Sequence, residues 1–187
     1  MTEAGEWTIT YRAVAGAKPT VLAMTNHAYF NLNANVKNTP TTMEHRILMP
    51  TGKQILDVTG APDYHLIPTG KVLDVAAGSP WDFYSAAKAV GKDVNKGDIT
   101  AGGGYDNAWV FSPAPERGAL KHVLTMSSAL TGIELQMSTD QPSVQIYTGN
   151  FLNGPRSCCS CCSCCSCCSC CSCCFFCSCC SCCSCCS

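Results

Sequence analysis

The side chains best placed to do chemistry in this sequence lie in TNHAYFNL, Thr25 to Leu32, where Thr25, His27 and Tyr29 recur at a spacing of two. On an extended strand that spacing puts a hydroxyl, an imidazole and a phenol on one face, with Asn26, Ala28 and Phe30 on the other. An imidazole with an ordinary pKa of about 6.5 can hold or release a proton near neutrality, so His27 is a candidate general acid or base. A solvated strand face carries the same residue types, and the pattern alone leaves both readings open. The other histidines, His45, His65 and His122, have no partner at a zinc-site spacing, and residues 1–156 contain no cysteine, so no metal centre is expected there. Gly102-Gly103-Gly104 is not followed by Gly-Lys-Ser/Thr or by a helix start. It therefore reads as a tight turn, or as backbone passing close to a ligand, and not as a phosphate loop.

The elements that must hold these groups are mostly strands. Trp7, Ile9 and Tyr11 alternate with polar residues; so do Ile133, Leu135 and Met137, and Val144 and Ile146. Period-two alternation of this kind predicts half-buried strands. Further strands are expected over 20–30, 45–49, 66–75 with a break at Pro68 and Gly70, 108–111 and 120–129. Leu130-Thr131-Gly132 is expected to connect a hairpin. Ser85 to Val90 gives the only helical suggestion, and long loops are expected over 31–42 and 91–105. The class predicted is all-β, a sandwich or a barrel.

Composition narrows the function classes. The net charge is −1 and no run of like charge occurs, which argues against a nucleic-acid or membrane-surface partner. The opening residues lack the basic and apolar regions of a signal peptide, and no stretch of residues 1–156 approaches the roughly 18 apolar residues of a membrane helix. With no Asn-x-Ser/Thr acceptor either, a cytoplasmic protein is expected.

Five segments in order, TNHAYFNL, LIPTGKVLDV (Leu66 to Val75), SPWDF (Ser79 to Phe83), GGYDNAWVF (Gly103 to Phe111) and QPSVQIYTGNFLNG (Gln141 to Gly154), resemble successive motifs of the aldose 1-epimerase (galactose mutarotase) family. The resemblance runs from about Trp7 to Gly154. It implies a fragment of a large antiparallel β-sandwich of the galactose-mutarotase supersandwich type, binding a free aldose in an open cleft. It implies interconversion of the α and β anomers of sugars such as glucose and galactose. A base takes the anomeric hydroxyl proton, an acid protonates the ring oxygen, and the ring opens and recloses. Side chains can perform both transfers, so no cofactor is implied.

Carried over by position, the resemblance makes His27 the general acid to the ring oxygen and Tyr29 a residue lining the sugar site. It makes Asp106 an acceptor for sugar hydroxyls, where a carboxylate forms the stronger, charge-assisted bonds. Gln145 is a further sugar contact. The chain also departs from the family pattern. Asn107 stands where the family usually has histidine, and Tyr84 where arginine is common. The family's general-base glutamate belongs downstream of Tyr-Thr-Gly-Asn, where this sequence enters a tract without carboxylates. A histidine and an arginine supplied by the family's N-terminal strands have no counterpart either. The expectation is therefore a family member truncated at both ends and impaired in catalysis, with a non-catalytic carbohydrate-binding remnant as the alternative.

That tract, Ser157 to Ser187, consists of Ser, Cys and Phe alone and holds all 19 cysteines of the chain. Two regions are thus expected: a sandwich fragment over 1–156 and a disordered low-complexity tail over 157–187, which lacks the apolar surface to offset the entropy of ordering. A strict three-residue period that starts abruptly is what a translated nucleotide microsatellite gives. A Cys-rich segment binding a soft metal ion through its thiolates is the alternative reading. Purified in air, the chain is expected to run as disulfide-linked oligomers on a non-reducing gel and to collapse to monomer with reductant. A single monomeric species with a fixed metal stoichiometry by native mass spectrometry would instead support the metal-binding reading.

Overall fold

A computed structural model of the chain describes residues 5–34, 41–59, 66–94 and 104–150. His65, Gly102, Gly103 and the Ser-Cys tract lie outside the described residues. The chain separates into two units, Met1–Phe30 and Asn31–Ser187.

Among the described residues of the second unit eight strands follow in order: β1 (Arg46–Leu48), β2 (Gln54–Val58), β3 (Pro68–Asp74), β4 (Lys88–Ala89), β5 (Asp106–Val110), β6 (Lys121–Ser127), β7 (Glu134–Thr139) and β8 (Ser143–Tyr147). They form two four-stranded sheets, β4-β1-β6-β7 and β3-β2-β5-β8, with every pairing antiparallel. One apolar cluster draws on both sheets, with Ile47, Val123 and Leu124 from the first and Ile55 and Trp109 from the second. The described residues are all-β, as the alternation predicts, and their two antiparallel sheets are consistent with the sandwich fragment that the family resemblance implies. Among the described residues no helix is long and apolar enough to cross a membrane.

The strongest sequence patterns mark the β5–β8 pair and the β6–β7 hairpin. Gly132, at a φ of 71°, supplies the left-handed residue of the hairpin turn. Val123 and Leu124 are adjacent and both buried because the β6–β7 register shifts between His122 and Leu124, a bulge that turns two successive side chains inward. The break expected at Pro68 and Gly70 is an irregularity within one continuous strand. β3 lies at a sheet edge, where Pro is tolerated, and Gly70 takes a φ of 86°.

Three expectations are corrected. Ser85–Val90 is not a helix: Lys88–Ala89 pairs with Arg46–Ile47, and a 3-10 turn follows over Val90–Lys92. Six residues are too few to sustain a helix against tertiary pairing. Neither 7–11 nor 20–30 is a strand, since residues 5–30 contain no strand or helix. Alternation selects which side chains would face a core, but a strand also needs a neighbour for its N–H and C=O groups. The hydrogen bonds of Thr20, Thr25 and Ala28 reach only one or two residues along the chain.

The core is organised around the turn Gly78–Ser85. Phe83, Tyr105 and Trp109 meet edge to face, with ring centroids 5.3, 5.6 and 5.7 Å apart. The carbonyls of the turn are taken by buried side-chain donors: Lys88 Nζ donates to Ser79 O, Tyr105 Oη to Pro80 O at 2.6 Å, and Trp109 Nε1 to Trp81 O at 3.0 Å. Asp82 accepts the N–H groups of Gly78, Tyr84 and Ser85 at 2.7, 3.1 and 3.0 Å. Burial by itself would raise the Asp82 carboxyl, but those backbone donors outweigh it and hold the pKa below the ordinary value. Its stabilising contribution is therefore full above the unfolded value near 3.9 and is lost as pH falls through the lowered folded value.

Lys88 is itself buried, at 9 % exposure, with Nζ 3.0 Å from Asp93 Oδ2 and 4.3 Å from the Phe83 ring centroid. Burial lowers its pKa, and the Asp93 carboxylate opposes the shift. Removing one partner of such a pair leaves a buried charge uncompensated. Lys88→Met is expected to cost about 3–5 kcal/mol in urea denaturation. Adding Asp93→Asn should recover part of the loss, because it removes that charge.

Candidate functional site

Each position on β5 has an opposite partner on β8: Asp106 faces Tyr147, Ala108 faces Gln145 and Trp109 faces Val144. Because successive side chains alternate, Asn107 and Trp109 turn into the core, while Asp106 and Ala108 turn to the outer face of the sheet with Gln145 and Tyr147. Gln145 Nε2 donates to Asp106 Oδ1 at 2.8 Å. Thus two residues 39 positions apart, expected from the sequence to be sugar contacts, lie side by side on one outward face. The same face carries a second carboxamide–carboxylate pair, since Gln54 Nε2 on β2 donates to Asp74 Oδ1 on β3 at 2.9 Å. An Asp–Gln pair of this kind offers a carboxylate acceptor next to an amide that can both donate and accept, a donor set suited to vicinal hydroxyls.

His27 and Tyr29 belong to the first unit. Their rings lie 5.2 Å apart, centroid to centroid, with planes inclined at 38°. His27 is exposed and Tyr29 half-buried. They stand on one side of the chain as the spacing predicts, but on irregular backbone and not on a strand. Among the described residues no group of three or more His, Cys, Asp or Glu is placed to hold a metal ion.

The end of the β5–β8 pair is fixed by a clasp that the sequence reading did not assign. Tyr105 N donates to Thr148 Oγ1 at 2.8 Å, Thr148 N donates to Tyr105 O at 3.0 Å, and Asn150 Nδ2 donates to the same carbonyl at 3.2 Å. The hydroxyl of Thr148 also reaches Asn150 Oδ1. Gly104 packs directly beneath these side chains, where an added Cβ would collide with Thr148 Oγ1 and Asn150 Oδ1. Gly104 thus accommodates the close approach of the chain's own Thr-Gly-Asn turn. A threonine and an asparagine flanking Gly149 are turn-forming types, and that was the available signal. The Asx pattern of Asp82, two and three residues before the amides it accepts, was a comparable signal for the core turn.

A profile of the family described as Aldose 1-epimerase matches residues 1–177. The chain is 30% identical to the galactose mutarotase of Bos taurus over 152 residues, covering 81% of this chain and 40% of that protein. It is 32% identical to the galactose mutarotase of Rattus norvegicus, with the same coverage. It is 30% identical to the aldose 1-epimerase of Haemophilus influenzae over 138 residues, 73% of this chain and 37% of that protein. The chain belongs to the aldose 1-epimerase family. It spans about two fifths of the length of the curated relatives it matches.

The clasp is open to mutation. Gly104→Ala should destabilise the second unit by about 1–3 kcal/mol through overpacking. Thr148→Val should expose the Tyr105 amide to exchange, and Thr148→Ser, which keeps the hydroxyl, should retain protection. Unchanged exchange in the valine variant would show that the hydroxyl does not hold Tyr105.

Proposed function

We propose that this chain carries the sugar-handling residues of an aldose 1-epimerase, acting on free aldoses such as galactose and glucose. The observation that carries the reading is the Gln145–Asp106 hydrogen bond of 2.8 Å on an outward sheet face, in a chain of this family. In the proposed reaction Asp106 accepts hydrogen bonds from sugar hydroxyls and Gln145 supplies a second polar contact. Tyr29 lines the sugar, and His27 gives its proton to the ring oxygen as the C1–O bond breaks. The conjugate step, removal of the anomeric hydroxyl proton, needs a base. Glu134 is exposed on β7 among Leu135 and Met137, which turn the other way, and Asp106 is committed to hydroxyl binding. Neither supplies that base, and the 187-residue chain alone is therefore proposed to be impaired in turnover.

The second reading is carbohydrate binding without turnover. It is favoured by the position of the Asp106–Gln145 pair, formed wholly within the β-sandwich unit and requiring no base. The cytoplasmic setting expected from the sequence, the absence of a cofactor, and the two-region organisation at 156/157 belong to the same proposal.

Polarimetry on fresh α-galactose tests it. With the chain extended by the family's flanking segments, His27→Gln is expected to lower the mutarotation rate by at least about a hundredfold, the scale of losing a positioned acid. Asp106→Asn should mainly raise KM. The chain alone should turn over close to the buffer rate while still binding galactose. A rate well above buffer that vanishes in His27→Gln would show that a carboxylate within residues 1–156 serves as base. Full activity of the extended His27→Gln variant would remove His27 from the acid role.

A further inference from the structure

The segment Asn31–Asn33, at the end of the Thr25–Leu32 motif, is irregular, yet several of its polar groups find partners. Leu32 N donates to His45 Nε2 at 2.8 Å, and Thr131 Oγ1 donates to Leu32 O at 2.7 Å. Asn33 Nδ2 donates to Thr41 O at 3.0 Å, Ser128 Oγ donates to Asn33 Oδ1 at 2.7 Å, and Asn33 N donates to Asn31 Oδ1 at 2.9 Å. Leu32 and Asn33 are buried, and Ala34, the next residue, is held at a left-handed φ of 60°. His45, the residue before β1, is 1 % exposed and is fixed by its own backbone, His45 N to Thr42 O at 3.0 Å and Val90 N to His45 O at 2.8 Å.

A backbone N–H can only donate. Nε2 of His45 must therefore present its lone pair, which makes the ring neutral with its proton on Nδ1. A second proton would have to occupy Nε2 and would point at the Leu32 amide, so protonation and the Leu32 bond exclude one another. The ionisable groups on the segments bonded to His45 are few. Glu44 and Arg46 flank it and are exposed. Lys88 on β4 is paired with Asp93, and Lys92 lies in the 3-10 turn. β6 carries Lys121 and His122 at the end away from the Arg46–Ser127 pair, and β7 carries the exposed Glu134. Asn31–Ala34 and Ser128–Ile133 contribute none.

We propose that His45 is a positioning residue for the closing end of the Thr25–Leu32 motif: its neutral ring clasps the Leu32 amide, and acid opens the clasp while the two sheets stay folded. Burial lowers the His45 pKa below 6.5, with the Thr42 backbone opposing. The clasp's contribution is accordingly full above the unfolded value near 6.5 and declines as pH falls from there through the lowered folded value. It depends on the sugar reading only for the importance of the motif, and its test uses no sugar.

The test is made on the full 15N-labelled chain with its thiols kept reduced. At pH 7.5 the imidazole nitrogen shifts should report a protonated Nδ1 and a bare Nε2. The exchange protection of the Leu32 amide, corrected for intrinsic rates, should fall about tenfold between pH 7.5 and 5.0, the scale of one lost hydrogen bond. Amides of β5 and β6 should not change. His45→Gln, whose Oε1 can accept the same bond without titrating, should keep Leu32 protected across the range, and His45→Leu should leave it unprotected throughout. An Nε2-protonated tautomer, a flat Leu32 profile in the unaltered chain, or the same acid-induced loss in His45→Gln would each overturn the proposal. The profile of the unaltered chain decides the matter even if His45→Leu does not fold.

Discussion

The structure depends on keeping the polar backbone of the Gly78–Ser85 turn satisfied. Ser79, Pro80 and Trp81 are half-buried at the margin of the core, where unpaired carbonyls would be costly. Lys88, Tyr105 and Trp109 each bring one buried donor to them. Those side chains come from β4, from the residue before β5, and from β5 itself. One set of hydrogen bonds therefore ties the edge of the first sheet to the centre of the second. Burial raises the Tyr105 phenol well above its usual range, with Asp93's charge adding to the shift, so the hydroxyl remains a donor to Pro80 O at any ordinary pH.

The same constraint places the outward face. Trp109 and Asn107 are held inward, so the alternation of β5 leaves no choice about Asp106, which must turn outward. The β5–β8 register then brings Gln145 within hydrogen-bond distance. A shift of one residue in that pairing would put Gln145 on the core face and dismantle both the core and the Asp106–Gln145 pair. The Tyr105–Thr148–Asn150 clasp stands at the end of the pair, where it fixes that register. Its glycine admits the side chains of the opposing turn.

Irregular segments are positioned by different means. Asn31–Asn33 makes no ladder, and its place is set by His45, Thr131, Ser128 and the Thr41 carbonyl. No sequence motif marks His45, and its role rests on the Leu32 amide that ends on its ring. Residues 7–11 alternate as the strands of the second unit do, yet residues 5–30 form no strand. Their apolar side chains, Trp7, Val14, Val21 and Leu22 among them, are exposed.

What the sequence by itself determined is the all-β class, the β5, β6, β7 and β8 strands, the hairpin at Gly132, and the family, because these follow from short-range alternation, turn chemistry and linear motifs. The family resemblance points to Asp106 and Gln145 as sugar contacts, and the β5–β8 register sets them side by side. Tertiary structure alone decided that Gln54–Val58, with its mixed QILDV pattern, is a central strand, and that Lys88 is buried in a β bridge where the local Ala-rich sequence reads as helix. It alone decided the partners of His45 and Thr148. The physical reason is the same in each case. Alternation and propensity report which face a residue prefers, whereas a hydrogen-bond partner 13 or 43 residues away is set by how the sheets close on one another.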